Sequence, residues 1–232
     1  MSLLFHRVAS VDCRLDDRPW AWAEAEAARI DAHWAGLVAK KPALYDGPVL
    51  LMHEGRVDGA VFRGSYLLTR FSRFMAWRDF GSPDRSIRNG FARAALRGAD
   101  GAFLLGEMGA HTANAGQVYF PSGTPDPSDV REGRVDLAGS VARELEEETG
   151  ITPAEARFEP AWTIVEAGQK GAFLPTVTVD ASAAALVDRI HAFLARDAQP
   201  ELARIHVARS RADITPAMPE FVAGFLEQEL QG

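Results

Sequence analysis

Between Arg143 and Ile151 the chain reads Arg-Glu-Leu-Glu-Glu-Glu-Thr-Gly-Ile, a string that commits it to a short helix crowded with carboxylates. At about 100° per residue, Glu147 and Glu148 fall within about 60° of Glu144 around the helix axis. Like charges so placed repel, by about 0.2 to 0.5 kcal/mol per i,i+4 pair on an isolated helix. Leu137, Val141 and Leu145 form an apolar row at spacing four, and Glu148 falls angularly between Leu137 and Val141, at the edge of the face to be buried. An unpaired charge is costly there. A hard cation that takes oxygen ligands offsets the cost; Mg²⁺ is the expected ion, with Mn²⁺ as an alternative. Asp136 suits the N-cap and Gly150 the left-handed position after the last turn, so the helix is expected over 137 to 149. Taken alone, the charge run would also fit a solvated acidic helix.

Arg143, Glu144, Leu145, Glu147, Glu148, Gly150 and Ile151 match every defined position in the second half of a known box: Gly, five residues, Glu, seven residues, then Arg-Glu-aliphatic-x-Glu-Glu-x-Gly-aliphatic. In this segment the chain resembles the Nudix hydrolases. The first half departs from the pattern. Phe120-Pro121-Ser122-Gly123 stands where the family has Phe-Pro-Gly-Gly, and Asp129 follows Gly123 after five residues where Glu is usual. Thirteen residues, 130 to 142, then precede Arg143 where the family has seven, which reads as a six-residue insertion around Arg131-Glu132-Gly133-Arg134. A loop is a tolerant place for extra chain. The acid bracing Arg143 is expected to be Asp129, with Glu132 in reserve.

The resemblance implies a Nudix-type α/β/α sandwich with a mixed sheet over about residues 48 to 210, with an N-terminal helical extension. It also implies that Glu144, Glu147 and Glu148 hold the metal together with the carbonyl of Gly123, and that Arg143 orients the carboxylates by an ion pair. Glu144 or a residue outside the box would be the general base. A further acidic ligand from the C-terminal half is expected at Glu201, with Glu166 as the alternative.

The rest of the chain bounds the reading. A net charge of -7 and a pI near 5.4 argue against a nucleic-acid footprint, which would be basic. Cys13 is the only cysteine, which fits a reducing compartment. There is no run of 18 apolar residues and no signal-peptide layout at Met-Ser-Leu-Leu-Phe-His-Arg, so no membrane partner and a cytoplasmic location are expected.

Punctuation predicts a helix from Pro19 to about Lys40. A hairpin is expected from Pro48–Met52 and Val57–Phe62 around His53-Glu54-Gly55-Arg56, and a second from Ala92–Leu96 and Ala102–Leu105 around Ala99-Asp100-Gly101. Ser72 to Phe80 carries no clear pattern. Gln117–Phe120, Ala161–Val165, Leu174–Val179 and Ala203–Ala208 read as strands, and Ala181–Ala195 and Pro219–Leu230 as helices. Strands around one acidic helix, with others packed outside, favour an α/β layered packing. Residues 1 to 47 are expected to form a strand and helix extension packed on a hydrolase domain spanning 48 to 232.

A diphosphate linkage resists water because its oxygens are negative, so a catalyst must neutralise them and generate or orient hydroxide. Carboxylate-held Mg²⁺ supplies both. The expected function is a metal-dependent pyrophosphohydrolase acting on a nucleoside-diphosphate-linked small molecule. Residues 29 to 34, 42 to 48 and Trp77-Arg78-Asp79-Phe80 are similar to the N-terminal region of Nudix enzymes that split UDP-sugars, so a UDP-sugar leads. Gly116 to Gly123 followed by Asp126-Pro127-Ser128-Asp129 is similar to coenzyme A diphosphatases, the alternative substrate class. Trp77 would stack on a base, Arg78 would pair with a phosphate, and His111, Thr112 and Asn114 would line the pocket. A non-catalytic nucleotide-sensing or interaction domain is the alternative of another class. A homodimer is admitted by the resemblance.

Overall fold

The computed structural model describes residues 2–112 and 114–230. Strands β1 (Leu4–Val8) and β2 (Ser10–Asp16) precede helices α1 (Ala21–Ala25) and α2 (Ala27–Lys40). A long hairpin, β3 (Pro48–Asp58) and β4 (Val61–Arg70), runs into α3 (Phe71–Asp79). Next come β5 (Asn89–Ala92), β6 (Ala95–Gly98), β7 (Phe103–Met108), β8 (Val118–Tyr119), β9 (Val130–Arg131) and β10 (Arg134–Val135). The acidic helix α4 (Leu137–Thr149) leads to β11 (Ala156–Ala167), β12 (Lys170–Val179), α5 (Ala183–Leu194), β13 (Leu202–Ala208) and α6 (Glu220–Glu229). The architecture is mixed α/β, as expected, with two mixed sheets and six α-helices among the described residues.

The first sheet runs β1-β11-β12-β6-β7-β13, with β5 added to β12 and β8 to β7; the second runs β3-β4-β2-β10-β9. Side chains alternate between faces along a strand, and β3 shows the result. Leu50 and Met52 join the main core with Phe62 and Tyr66 of β4, whereas Val49 and Leu51 join a smaller core with Leu67, Trp20, Ile30, Phe74 and Trp77. The second sheet is therefore covered on both faces at residues 49 to 52 of β3 and at Tyr66 and Leu67 of β4, by the first sheet's core and by α1 to α3.

The first hairpin is present, but its turn lies later than expected. The predicted turn at 53 to 56 is inside β3, where the register shifts between Met52 and Glu54, and the chain reverses at Gly59, with φ of 60°. Gly55 is there for closeness: a Cβ on it would come within 2.7 Å of Phe62. The second hairpin reverses through Gly101, φ 81°, as expected. Its first arm is not one strand, however, because β5 and β6 each pair in parallel with β12, and Arg93 and Ala94 break between them. The expected helix from Pro19 splits at Glu26, and the unpatterned stretch at 72 to 80 forms most of α3 and its C-cap, Phe80.

The insertion before α4 is ordered by pairing. Glu132 (φ 51°) and Gly133 (φ 76°) make the tight turn between β9 and β10, whose two positive φ values match the twist of a hairpin. Arg134 pairs with Arg14 of β2, and Leu15 N–H donates to the Gly133 carbonyl at 2.9 Å. The extra residues thus extend the second sheet. No helix among the described residues is long and apolar enough to cross a membrane.

Candidate active site

Helix α4 is held at both ends as its sequence prescribes. Asp136 Oδ1 accepts from Gly139 N–H at 2.9 Å, and Gly150, with φ of 69°, closes the last turn by donating to the Glu146 carbonyl at 2.8 Å. Leu137, Val141 and Leu145 are buried, which fixes the helix rotation and sends its glutamates to three different environments.

Glu148 is the buried one. One of its oxygens accepts from Ser122 N–H at 3.1 Å, and the other, Oε2, is buried with no hydrogen-bond partner among the described residues. Burial pushes this carboxyl up to about 8; Glu144 and Glu201 add to the shift, while the Ser122 amide and Arg93 oppose it. Glu144 is half-buried and pressed against Gly123, where an added Cβ would overlap its carboxylate. Its carboxyl is also raised, by burial first, with the neighbouring Arg143 pulling the other way. Glu147 is exposed, with its side chain at 60%.

Arg143 ties this group together. Its Nη1 lies 2.8 Å from Glu144 and 3.2 Å from Glu147, and its Nη2 donates to both oxygens of Asp129 at 3.1 and 3.4 Å. Asp129 is buried, and its Oδ2 also accepts from Asp126 N–H, closing a capping box over residues 127 to 129. Glu132, the reserve acid, sits in the β9–β10 turn.

Glu201 lines a cavity of about 480 Å³ that also takes in Glu144, Glu147 and Glu148, beside Phe193 and Leu194 of α5. Glu166 is elsewhere, ion-paired with Arg88 at 2.9 Å and 3.7 Å from His6. Among the described residues no three His, Cys, Asp or Glu side chains are drawn close enough to form a ready cation cage. The donor set nevertheless fits a hard cation. It offers a buried carboxylate oxygen without a partner, a second carboxylate packed on a glycine with no room for a side chain, and hard oxygen donors throughout.

On the other side of Ser122 and Gly123 opens a larger cavity of about 860 Å³. Arg78 and Asn114 line it, the latter donating to the Tyr119 hydroxyl at 3.2 Å. His111 does not; it is exposed, with its ring against Gly109. Thr112 spends its hydroxyl on the Gly109 carbonyl, at 2.9 Å. The expectation for Trp77 is overturned. It is 2% exposed, packs against Trp20 and Phe74, and donates its indole N–H to the Asp84 carbonyl at 3.0 Å, so it is core and offers no face to a base.

Arg93, which sequence reasoning misses, lines the same cavity. Its guanidinium stacks over the Tyr119 ring at 4.0 Å and lies 4.9 Å from the Phe91 ring. It donates to the Phe120 carbonyl at 3.0 Å, and its Nε is buried with no partner among the described residues. Burial pulls this guanidinium below its ordinary range, opposed by Tyr119 and Glu148. The signal that could have found it is a single charge between two apolar stretches, Gly90-Phe91-Ala92 and Ala94-Ala95-Leu96.

No protein-family model matches the chain, and no curated protein does. Among solved structures it is similar to a MutT protein from Methanosarcina mazei Go1, at 22% identity over 61% of this chain and 92% of that one, with a TM-score of 0.39. It is also similar to RenU, a Nudix hydrolase from M. smegmatis, at 17% identity over 61% of this chain and 83% of that one, with a TM-score of 0.35.

Proposed function

We propose that this chain is a Nudix-type, metal-dependent pyrophosphohydrolase that splits the diphosphate linkage of a nucleoside-diphosphate-linked small molecule by water attack at phosphorus, a UDP-sugar being the leading candidate. The observation that carries this reading is the state of Glu148: a carboxylate buried at the edge of the core, with one oxygen held by the Ser122 amide and the other left without a partner. A buried unpaired carboxylate oxygen is costly unless something else occupies it, and Glu144 against Gly123 stands beside it. Glu144, Glu147 and Glu148, with the Gly123 carbonyl and Glu201, would hold Mg²⁺ or Mn²⁺. Bound there, the ion would neutralise phosphate oxygens and lower the pKa of a coordinated water.

The chain's own residues set up the remainder. Arg143, held by buried Asp129, fixes Glu144 and Glu147 in orientation by ion pairs instead of touching substrate. Glu144, whose carboxyl is raised by burial, is the candidate to take a proton from the attacking water. Arg78, which donates to Asp79 at 2.9 Å, lines the larger cavity, where it would pair with a phosphate.

The test is a phosphate-coupled hydrolysis panel containing UDP-glucose and coenzyme A, with and without Mg²⁺. Turnover that requires the ion and is lost in Glu148→Gln and Glu147→Gln supports the reading, and preference within the panel decides the linked group. Binding without turnover across the panel would instead favour a nucleotide-sensing domain.

A further inference from the structure

Many arginines in this protein meet carboxylates, as Arg88 meets Glu166, Arg143 meets Asp129 and Arg189 meets Glu155, while Arg211 donates to the Glu227 and Leu230 carbonyls at the surface. Arg93 differs. Its hydrogen bond goes to a carbonyl, its Nε has no partner among the described residues, and its guanidinium lies over the Tyr119 ring at 4.0 Å and 4.9 Å from the Phe91 ring. Three aromatic rings, those of Phe91, Tyr119 and Phe221, lie within 5.6 Å of its guanidinium carbon. This half-buried cation lines the 860 Å³ cavity. Lys170 and Arg78 line the same space, together with Glu220, the half-buried Phe71 and the buried Phe74 and Phe221.

The cavity shares a wall with the carboxylates. Ser122 and Gly123 line it, and these residues also hold Glu148 through the Ser122 amide and receive Glu144 on the glycine. A phosphate group in the cavity against Ser122 and Gly123 would sit between the anionic side and the cationic side. The acid side repels it unless neutralised, and the Arg93 guanidinium attracts it with a fork that matches phosphate oxygens.

We propose that Arg93 is a substrate-binding residue that grips a phosphate of the diphosphate from within this cavity. The inference rests on the hydrolase reading for the identity of the anion. Its test is chosen to be independent of turnover.

The probe is UDP, titrated calorimetrically with saturating Mg²⁺ into the 232-residue chain, wild type and the variants Arg93→Gln and Arg93→Lys, with melting temperatures measured in parallel. Loss of a charge-assisted, two-pronged contact is expected to weaken UDP binding about 10- to 100-fold in Arg93→Gln. Arg93→Lys, which keeps the charge and loses the fork, should fall between it and the wild type. A lowered melting temperature with unchanged UDP affinity would show that Arg93 merely packs the aromatic cluster, and would overturn the proposal; so would failure of the wild type to bind UDP. Should UDP binding depend on Arg93 while no panel compound is hydrolysed with Mg²⁺, the pocket stands and the hydrolase reading falls. Mg²⁺-dependent turnover with UDP affinity indifferent to Arg93 gives the reverse.

Discussion

Asp129 grips Arg143 with both carboxylate oxygens, at 3.1 and 3.4 Å, from a position where its own side chain is 3% exposed. The pair links the short helical turn ahead of the inserted hairpin to the helix that carries the glutamates. Asp129 meets a second donor, the Asp126 amide, so its negative charge is fully used. Replacing it with Asn should destabilise the fold by about 1 to 3 kcal/mol, the range for removing one partner of a buried charged hydrogen bond. Thermal denaturation of Asp129→Asn checks this, with Glu132→Gln on the exposed turn as the neutral comparison. The melting temperature of that control should stay close to wild type, as it does for most surface changes.

Gly123 leaves no space for a side chain because the Glu144 carboxylate occupies it. Gly123→Ala should fold and melt close to wild type, since Glu144 can rotate away at its flexible end. The displaced carboxylate should lower kcat by about a hundredfold, the order expected when a reacting group is misplaced by about an ångström. Steady-state kinetics with Mg²⁺ at saturation would check this, and an unchanged kcat would remove Glu144 from the working site.

Burial raises the Glu148 carboxyl to about 8, so in the metal-free fold it stays protonated where the unfolded chain has already ionised it. Its contribution to stability is complete below the ordinary carboxyl range and is lost as pH rises through about 8. Metal-free wild type should therefore lose melting temperature relative to Glu148→Gln between about pH 5 and pH 9. Saturating Mg²⁺ should recover the wild type alone, by about 2.7 kcal/mol at about a hundred times the dissociation constant. Parallel pH curves for the two proteins, with no differential response to Mg²⁺, would contradict this.

Trp77 fills the smaller core together with Trp20 and Phe74. Trp77→Ala should cost about 3 to 5 kcal/mol in chemical denaturation, as large-to-small changes in a core do. The fraction that remains folded should keep the wild-type KM. A raised KM with unchanged stability would return Trp77 to the substrate.

Glu155, beyond the C-terminal end of α4, is held by Arg189 and Thr152, and the hydrogen bonds from that guanidinium lower its carboxyl to about 2. The stabilisation is present above the ordinary carboxyl range and is lost as pH falls through about 2. Glu155→Gln should therefore flatten the acid limb of the stability curve without changing activity at neutral pH, read by melting temperature between about pH 2 and pH 5.

The helix over 137 to 149, its Asp136 cap, its Gly150 stop and the crowding of Glu144, Glu147 and Glu148 were legible in the sequence because each depends on spacings of a few residues. Turns were legible less evenly. Gly55 and Gly59 look alike in a string, yet one serves close packing against Phe62 and the other a left-handed φ, and only the partner strand distinguishes them. Tertiary structure alone decided which glutamate would be desolvated, that the inserted hairpin would dock on β2, that Trp77 would be interior, and that Arg93 would come close enough to Glu148 for their charges to act on each other. Local order follows from bonds and charges within one or two helical turns. Burial is set by segments far apart in the chain, and in this protein burial determines which charges are left in need of a ligand.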